Sequence, residues 1–154
     1  MANELTLKEI LQMAIEKEVI AQQLYTDLSQ RITDEAAKDV FQELIRQEHG
    51  HQQLLESYLR GELKNGALST EQVIGYQIAE QSEQMKIYPG MPLKDICLAA
   101  INREMIAHQA YLSLSQAHPE GEVRKLLEEM ASQELGHQHK LEFLYSEVAF
   151  PQDA

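Results

Sequence analysis

Cysteine, positive charge and long apolar runs are all scarce in this chain of 154 residues. The one cysteine, Cys97, can close no intramolecular disulfide and cannot make a four-cysteine zinc or iron–sulfur site, so an iron–sulfur or rubredoxin-like module is excluded. Lys and Arg number 13 against 25 Asp and Glu, a formal net charge of -12. Nucleic-acid binding draws its affinity from clustered basic residues, so DNA and RNA are set aside as partners. The longest unbroken apolar run is Ile96 to Ile101, and no basic region followed by an apolar stretch opens the chain. The expectation is no membrane span, no export signal and, with unpaired sulfur, a reducing cytoplasm.

Helix breakers are few and gathered: Gly61 to Gly66, Pro89 to Pro92, Pro119 to Gly121, and Pro151. Between them the sequence predicts long helices over 8–30 and 35–60, with Thr33 and Asp34 placed to accept the free amides at the second helix start. After a loop over 61–68, Ser69 with Gln72 has the form of a capping box opening a shorter helix toward Met85. Pro92 suits the first turn of the next long helix, which ends before Pro119; the last runs to about Phe150.

The chain repeats itself. Sliding it by 86 residues aligns Leu7 to Glu56 with Leu93 to Glu142 without a gap, and 21 of the 50 pairs are identical. The unit is a helical hairpin, expected over 7–60 and 93–149 and joined by a crossover over 61–91. Each hairpin has an apolar face to bury, and an all-α four-helix bundle, one domain spanning 1–154, is the simplest solution. If a two-fold axis relates the hairpins, the second and third long helices run parallel, and the crossover travels back along the bundle.

Each helix carries a charge where its core seam should be apolar. The first seam reads Leu7, Leu11, Ala14, Glu18, Ala21, Tyr25, Leu28, and the second Phe41, Leu44, Glu48, His51, Leu55. The third and fourth are Leu93, Cys97, Ala100, Glu104, Ala107, Tyr111, Leu114 and Leu127, Met130, Glu134, His137, Leu141. Glu18 lies about 13 residues before the first interhelical turn and Glu48 about 15 after it, so both stand roughly 20 Å from that turn. Glu104 and Glu134 flank the second turn by nearly the same counts. Four buried carboxylates would repel one another and lose hydration, so they predict cations among them. Two divalent ions carry +4 against the four charges. Glu and His three apart share a helix face, so Glu48 with His51 and Glu134 with His137 converge on metal while Glu18 and Glu104 complete the shells. Mixed carboxylate and imidazole donors suit iron or manganese.

These segments resemble the ferritin-like superfamily, and within it the rubrerythrin and bacterioferritin group of di-iron carboxylate proteins. Glu18-Val-Ile-Ala21-Gln-Gln-Leu-Tyr25 and Glu104-Met-Ile-Ala107-His-Gln-Ala-Tyr111 are similar to the E-x-x-A-x-x-x-Y segment, and Glu48-His-Gly-His51 and Glu134-Leu-Gly-His137 to the two E-x-x-H segments. The resemblance implies Glu18 and Glu104 as terminal ligands, Glu48 and Glu134 as bridging ligands, and His51 and His137 as imidazole ligands. Tyr25 and Tyr111 would donate hydrogen bonds to the ligand carboxylates. It further implies two iron ions per chain, manganese or a mixed pair fitting the same donors, and a homodimer. Three departures stand out. Ala107 takes the place of the additional Glu of typical rubrerythrins; the chain lacks their rubredoxin domain, so a separate rubredoxin-like protein would donate electrons; and His49 after Glu48 gives no match to the haem-binding methionine of bacterioferritins.

The function implied is a di-iron oxidoreductase reducing hydrogen peroxide or dioxygen. Its alternatives are a ferroxidase or iron-handling protein, and a helical interaction module with a purely structural metal site. Other polar residues read more plainly. His108 makes a local polar contact, His49, His118 and His139 are surface histidines, Cys97 is an apolar filler, and Met13, Met105 and Met130 pack the core.

Overall fold

In the computed structural model, which describes residues 3–76 and 88–149, a short strand β1 (Asn3–Thr6) gives way to α1 (Leu7–Arg31) at Thr6. There the Glu9 amide donates to Thr6 Oγ1 at 3.2 Å and the Thr6 amide to Glu9 Oε1 at 3.1 Å, a reciprocal cap that satisfies two amides lacking helical partners. Asp34 starts α2 (Glu35–Leu59) as expected, accepting from the Ala37 amide at 3.0 Å. A turn and strand β2 (Val73–Tyr76) precede α3 (Leu93–Gln116), and α4 (Glu122–Ala149) closes the order. Pro92 sits just ahead of α3, its carbonyl accepting from the Asp95 and Ile96 amides. Phe150, the expected end of the last helix, lies outside the described residues.

The four-helix bundle expected from the repeat is present: α1 packs on α2 and α3 on α4, with lighter contacts of α1 to α3 and α2 to α4. The core divides into two apolar clusters. One gathers the start of α1 (Leu7, Leu11), the ends of α2 and α3 (Leu55, Tyr58, Leu114) and the start of α4 (Val123, Leu127). The other gathers the end of α1 (Tyr25, Leu28), the starts of α2 and α3 (Phe41, Leu44, Ile96, Cys97) and Leu141 of α4. Since α2 and α3 both start in the second cluster and end in the first, they run parallel. The end of α2 and the start of α3 therefore lie at opposite ends of the bundle.

The expected helix from Ser69 is corrected over the residues described. Ser69 to Gln72 form a turn, and Val73–Tyr76 pairs antiparallel with Asn3–Thr6, Thr6 opposite Val73. Tertiary pairing overrides the capping pattern here: the Thr70 and Gln72 carbonyls accept from the Lys8 and Leu7 amides at 2.9 and 2.8 Å. The rest of that expected helix, toward Met85, lies outside the described residues. Earlier in the crossover, Asn65 and Gly66 pack against Gly121 of the turn between α3 and α4, so closely that a Cβ on Gly121 would meet Asn65 Oδ1 at 2.8 Å. Among the described residues no helix is long and apolar enough to cross a membrane.

Candidate metal centre

Between the two apolar clusters the bundle has a polar waist. Glu18, Glu48, Glu104 and Glu134 are each 0% exposed there, one from each helix, with His51 and His137 also buried. All six residues expected as ligands meet in this one place. Their donor atoms form two sets, each within 4.8 Å: Glu18, Glu48, His51 and Glu134, and Glu48, Glu104, Glu134 and His137. Glu48 and Glu134 belong to both, as bridging groups would.

The hydrogen bonds of the waist cross between the hairpins. Tyr25 of α1 donates to Glu104 Oε1 of α3, and Tyr111 of α3 donates to Glu18 Oε1 of α1. Each tyrosine thus meets a waist carboxylate of the other repeat. His51 Nε2 lies 2.5 Å from Gln133 Oε1, and His137 Nε2 bonds Gln47 Oε1. An amide oxygen only accepts, so the proton of each neutral imidazole sits on Nε2 and the lone pair of Nδ1 faces the waist. Gln47 and Gln133, which the sequence analysis did not single out, are a pair in the repeat, directly before Glu48 and Glu134.

Among the described residues, the buried side-chain nitrogen and oxygen atoms without a hydrogen-bond partner are Glu18 Oε2, Glu48 Oε1, His51 Nδ1, Glu104 Oε2, Glu134 Oε1 and His137 Nδ1. There is one from each expected ligand. His51 Nδ1 approaches Glu134 Oε1 at 3.1 Å and His137 Nδ1 approaches Glu48 Oε1 at 3.0 Å, but neither pair has hydrogen-bond geometry. Orphaned buried polar atoms are costly, and six converging lone pairs of carboxylate and imidazole fit a pair of first-row metal ions.

Arg103, unforeseen as a site residue, also reaches into the waist. Its Nη1 donates to Glu48 Oε2 at 2.5 Å, Glu134 Oε2 at 2.7 Å and Glu104 Oε1 at 3.1 Å, and its Nη2 lies 3.3 Å from Glu18 Oε1. Burial and charge set the proton affinities. Burial pushes Glu18 up to about 7 against the pull of Arg103, and raises Glu134 well above the usual carboxylate range. For Glu48 burial acts upward too, but Arg103 and His137 outweigh it and hold the carboxyl well below that range. Burial opposes charge on His137, yet Glu104 and Glu48 prevail and raise it to about 9.

Two expectations for other residues are corrected. His118 is buried, not at the surface: its Nδ1 bonds the Leu114 carbonyl at 2.7 Å and its Nε2 the Tyr58 hydroxyl at 2.6 Å. That hydroxyl also accepts from the Leu68 amide, so His118 ties the crossover to the ends of α2 and α3. Met105 is 40% exposed rather than packed in the core. His49 and His139 are exposed and Cys97 is buried. His108 bonds the Ala131 carbonyl at 2.6 Å, a local polar contact.

A sequence model of the family described as Rubrerythrin matches residues 9–87 and 95–153. Among solved structures, the chain is similar to a putative ferritin-like diiron-carboxylate protein from Thermotoga maritima, 20% identical over 96% of this chain and 99% of that one, with a TM-score of 0.76. It is also similar to a hypothetical protein from Pyrococcus furiosus, 24% identical over 97% of this chain and 94% of that one, with a TM-score of 0.74. No curated protein sequence matches the chain.

Proposed function

The chain belongs to the rubrerythrin family, and on that footing we propose that it is a non-haem di-iron oxidoreductase reducing hydrogen peroxide, or dioxygen, at the polar waist. The observation that carries this reading is the set of six partnerless buried donor atoms, one from each of Glu18, Glu48, His51, Glu104, Glu134 and His137. Two ferrous ions held there would supply one electron each, the two that reductive cleavage of an O–O bond requires.

The protein's own groups divide the remaining work. Glu48 and Glu134, common to both donor sets, hold the two positions close together. Tyr25 and Tyr111 fix one oxygen of Glu104 and Glu18 by donating to it, leaving the other oxygen free. Gln47 and Gln133 set the imidazole tautomer. The apolar clusters above and below keep bulk water from the waist, which strengthens every charge interaction inside it. A small cavity of about 30 Å³ between α1 and α3, lined partly by Ala14, Ala107 and Ala110, has room for molecules of the size of water and suits a small oxidant. Peroxide takes up two electrons and two protons and leaves as two waters; a separate rubredoxin-like protein would return the electrons.

The test is metal content after anaerobic Fe(II) loading and desalting. Wild type should retain about two irons per chain, and Glu48→Ala and Glu134→Ala should each lose both, since each glutamate serves both donor sets. Loaded wild type should then cycle with peroxide and an external reductant at that stoichiometry. Oxidation of many irons per chain with dioxygen would make the protein a ferroxidase, and bound metal inert to both oxidants would make the site structural. Absence of any retained metal in wild type would overturn the reading.

A further inference from the structure

Arg103 is a cation in the waist that neither donor set requires. Its guanidinium divides every carboxylate in two. Glu48 and Glu134 give it Oε2 and keep Oε1 partnerless; Glu18 and Glu104 give it Oε1 and keep Oε2 partnerless. A carboxylate that bridges two metals with one oxygen on each needs both oxygens, and with Arg103 in place Glu48 and Glu134 have one each to offer. Two dications would also stand beside a fixed positive charge in a buried, weakly screened site. An arginine cannot relieve that conflict by losing its proton. Only movement of the side chain can.

The surroundings show the side from which it enters. Arg103 lines the small cavity between α1 and α3 together with Lys17, Ala14, Ala107 and Ala110. Lys17 is its counterpart in the repeat, also directly before a terminal glutamate, and it is half-buried at that cavity without an ion pair to the waist carboxylates. Lys17 therefore shows a basic side chain at this helical position accommodated outside the waist.

We propose that Arg103 is a resident internal cation, which holds the four carboxylates together in the metal-free protein and must swing out toward the α1–α3 cavity before two metal ions load. Arg103 and the metal pair are alternative occupants of one cage, so the arginine lowers metal affinity and protects the empty fold. This inference rests on the metal-binding reading above.

Zinc(II), redox-inert and diamagnetic, is the probe. Arg103→Met, similar in length but uncharged, should melt at a lower temperature than wild type when metal-free, yet bind zinc more tightly, on the order of tenfold. Arg103→Lys, which keeps the charge but lacks the planar fork, should fall between. A packing role predicts instead that Arg103→Met weakens the metal-free and zinc-loaded forms alike. Wild-type or weaker zinc affinity in a variant with intact helical circular dichroism would overturn the proposal while leaving the metal site standing. No zinc or iron bound by wild type would remove both. Should Arg103→Met fail to fold, the wild-type protein decides: side-chain N–H signals of Arg103, slow to exchange when metal-free, should lose protection as two zinc ions bind. Retained protection with both zincs bound would overturn the proposal.

Discussion

Each imidazole of the waist is held from the opposite hairpin: His51 of α2 by Gln133 of α4, and His137 of α4 by Gln47 of α2. The crossing matters because a histidine ligand is only as good as the direction of its lone pair, and the Nε2–H bond aims Nδ1 inward. Gln133→Leu removes the acceptor while leaving every ligand in place. It should weaken metal binding by about tenfold, the low end for such partners because Gln133 is exposed and water can take its place, with no change in helical circular dichroism. Calorimetric titration with Mn(II) checks this, and unchanged affinity would show that packing alone orients His51. The gathering of four glutamates, two histidines and two tyrosines at one level was legible in the sequence because a glutamate in an apolar seam is a physical anomaly, and the repeat shows the anomaly twice. Gln47, Gln133 and Arg103 were not, since a glutamine or arginine on a long helix normally faces solvent. Whether it reaches inward depends on how neighbouring helices cross. A signal was available: Gln47 with Gln133 and Lys17 with Arg103 are repeat pairs flanking the ligands. Lys17 and Arg103 show its limit, because equivalent positions put one side chain outside the waist and the other at its centre.

The helices were legible as elements for local reasons, and the strands were missed for a non-local one. Breakers and caps delimit α1 through α4 from nearest neighbours in sequence, whereas β1 and β2 exist only because residues 3–6 and 73–76, far apart in sequence, meet beside the start of α1. The pair also completes α1, whose Leu7 and Lys8 amides have no helical acceptors and find the Gln72 and Thr70 carbonyls instead. Thr6 stands at the junction, last in β1 and cap of α1, with its hydroxyl 3.2 Å from the Glu9 amide. Thr6→Ala removes both the capping oxygen and a β-branched strand residue. Loss of the cap should cost about 1 kcal/mol of stability, read as a lower urea midpoint at unchanged slope. A shift well beyond that would mean that the strand pair, and not the cap alone, depends on Thr6.

For the molecule as a whole, two apolar clusters provide stability and the waist between them works against it. With no metal bound, Glu18 holds its proton to about 7 against an ordinary 4.5, and His137 to about 9 against 6.5. Between pH 4.5 and 7 the folded chain keeps a proton on Glu18 that the unfolded chain has released. Between 6.5 and 9 the same holds for His137. On these two groups folding takes up protons throughout this window, so their contribution to stability falls as pH rises across it. Glu48, shifted the other way, acts with opposite sign but below its ordinary pKa, outside the window; His118, lowered from 6.5 by burial, opposes the fall below that pH, where Glu134, raised well above the carboxylate range, adds to it. Metal reverses the demand, because it binds deprotonated carboxylates and neutral imidazole and expels those protons. Affinity should therefore grow with pH where the metal-free fold weakens. Thermal melts of the metal-free protein from pH 5 to 9 should show a falling midpoint. With saturating Mn(II) the gap between loaded and metal-free midpoints should widen across the same range. A metal-free midpoint that stays level or rises would mean that Arg103 alone balances the carboxylates, leaving no proton to be displaced by metal.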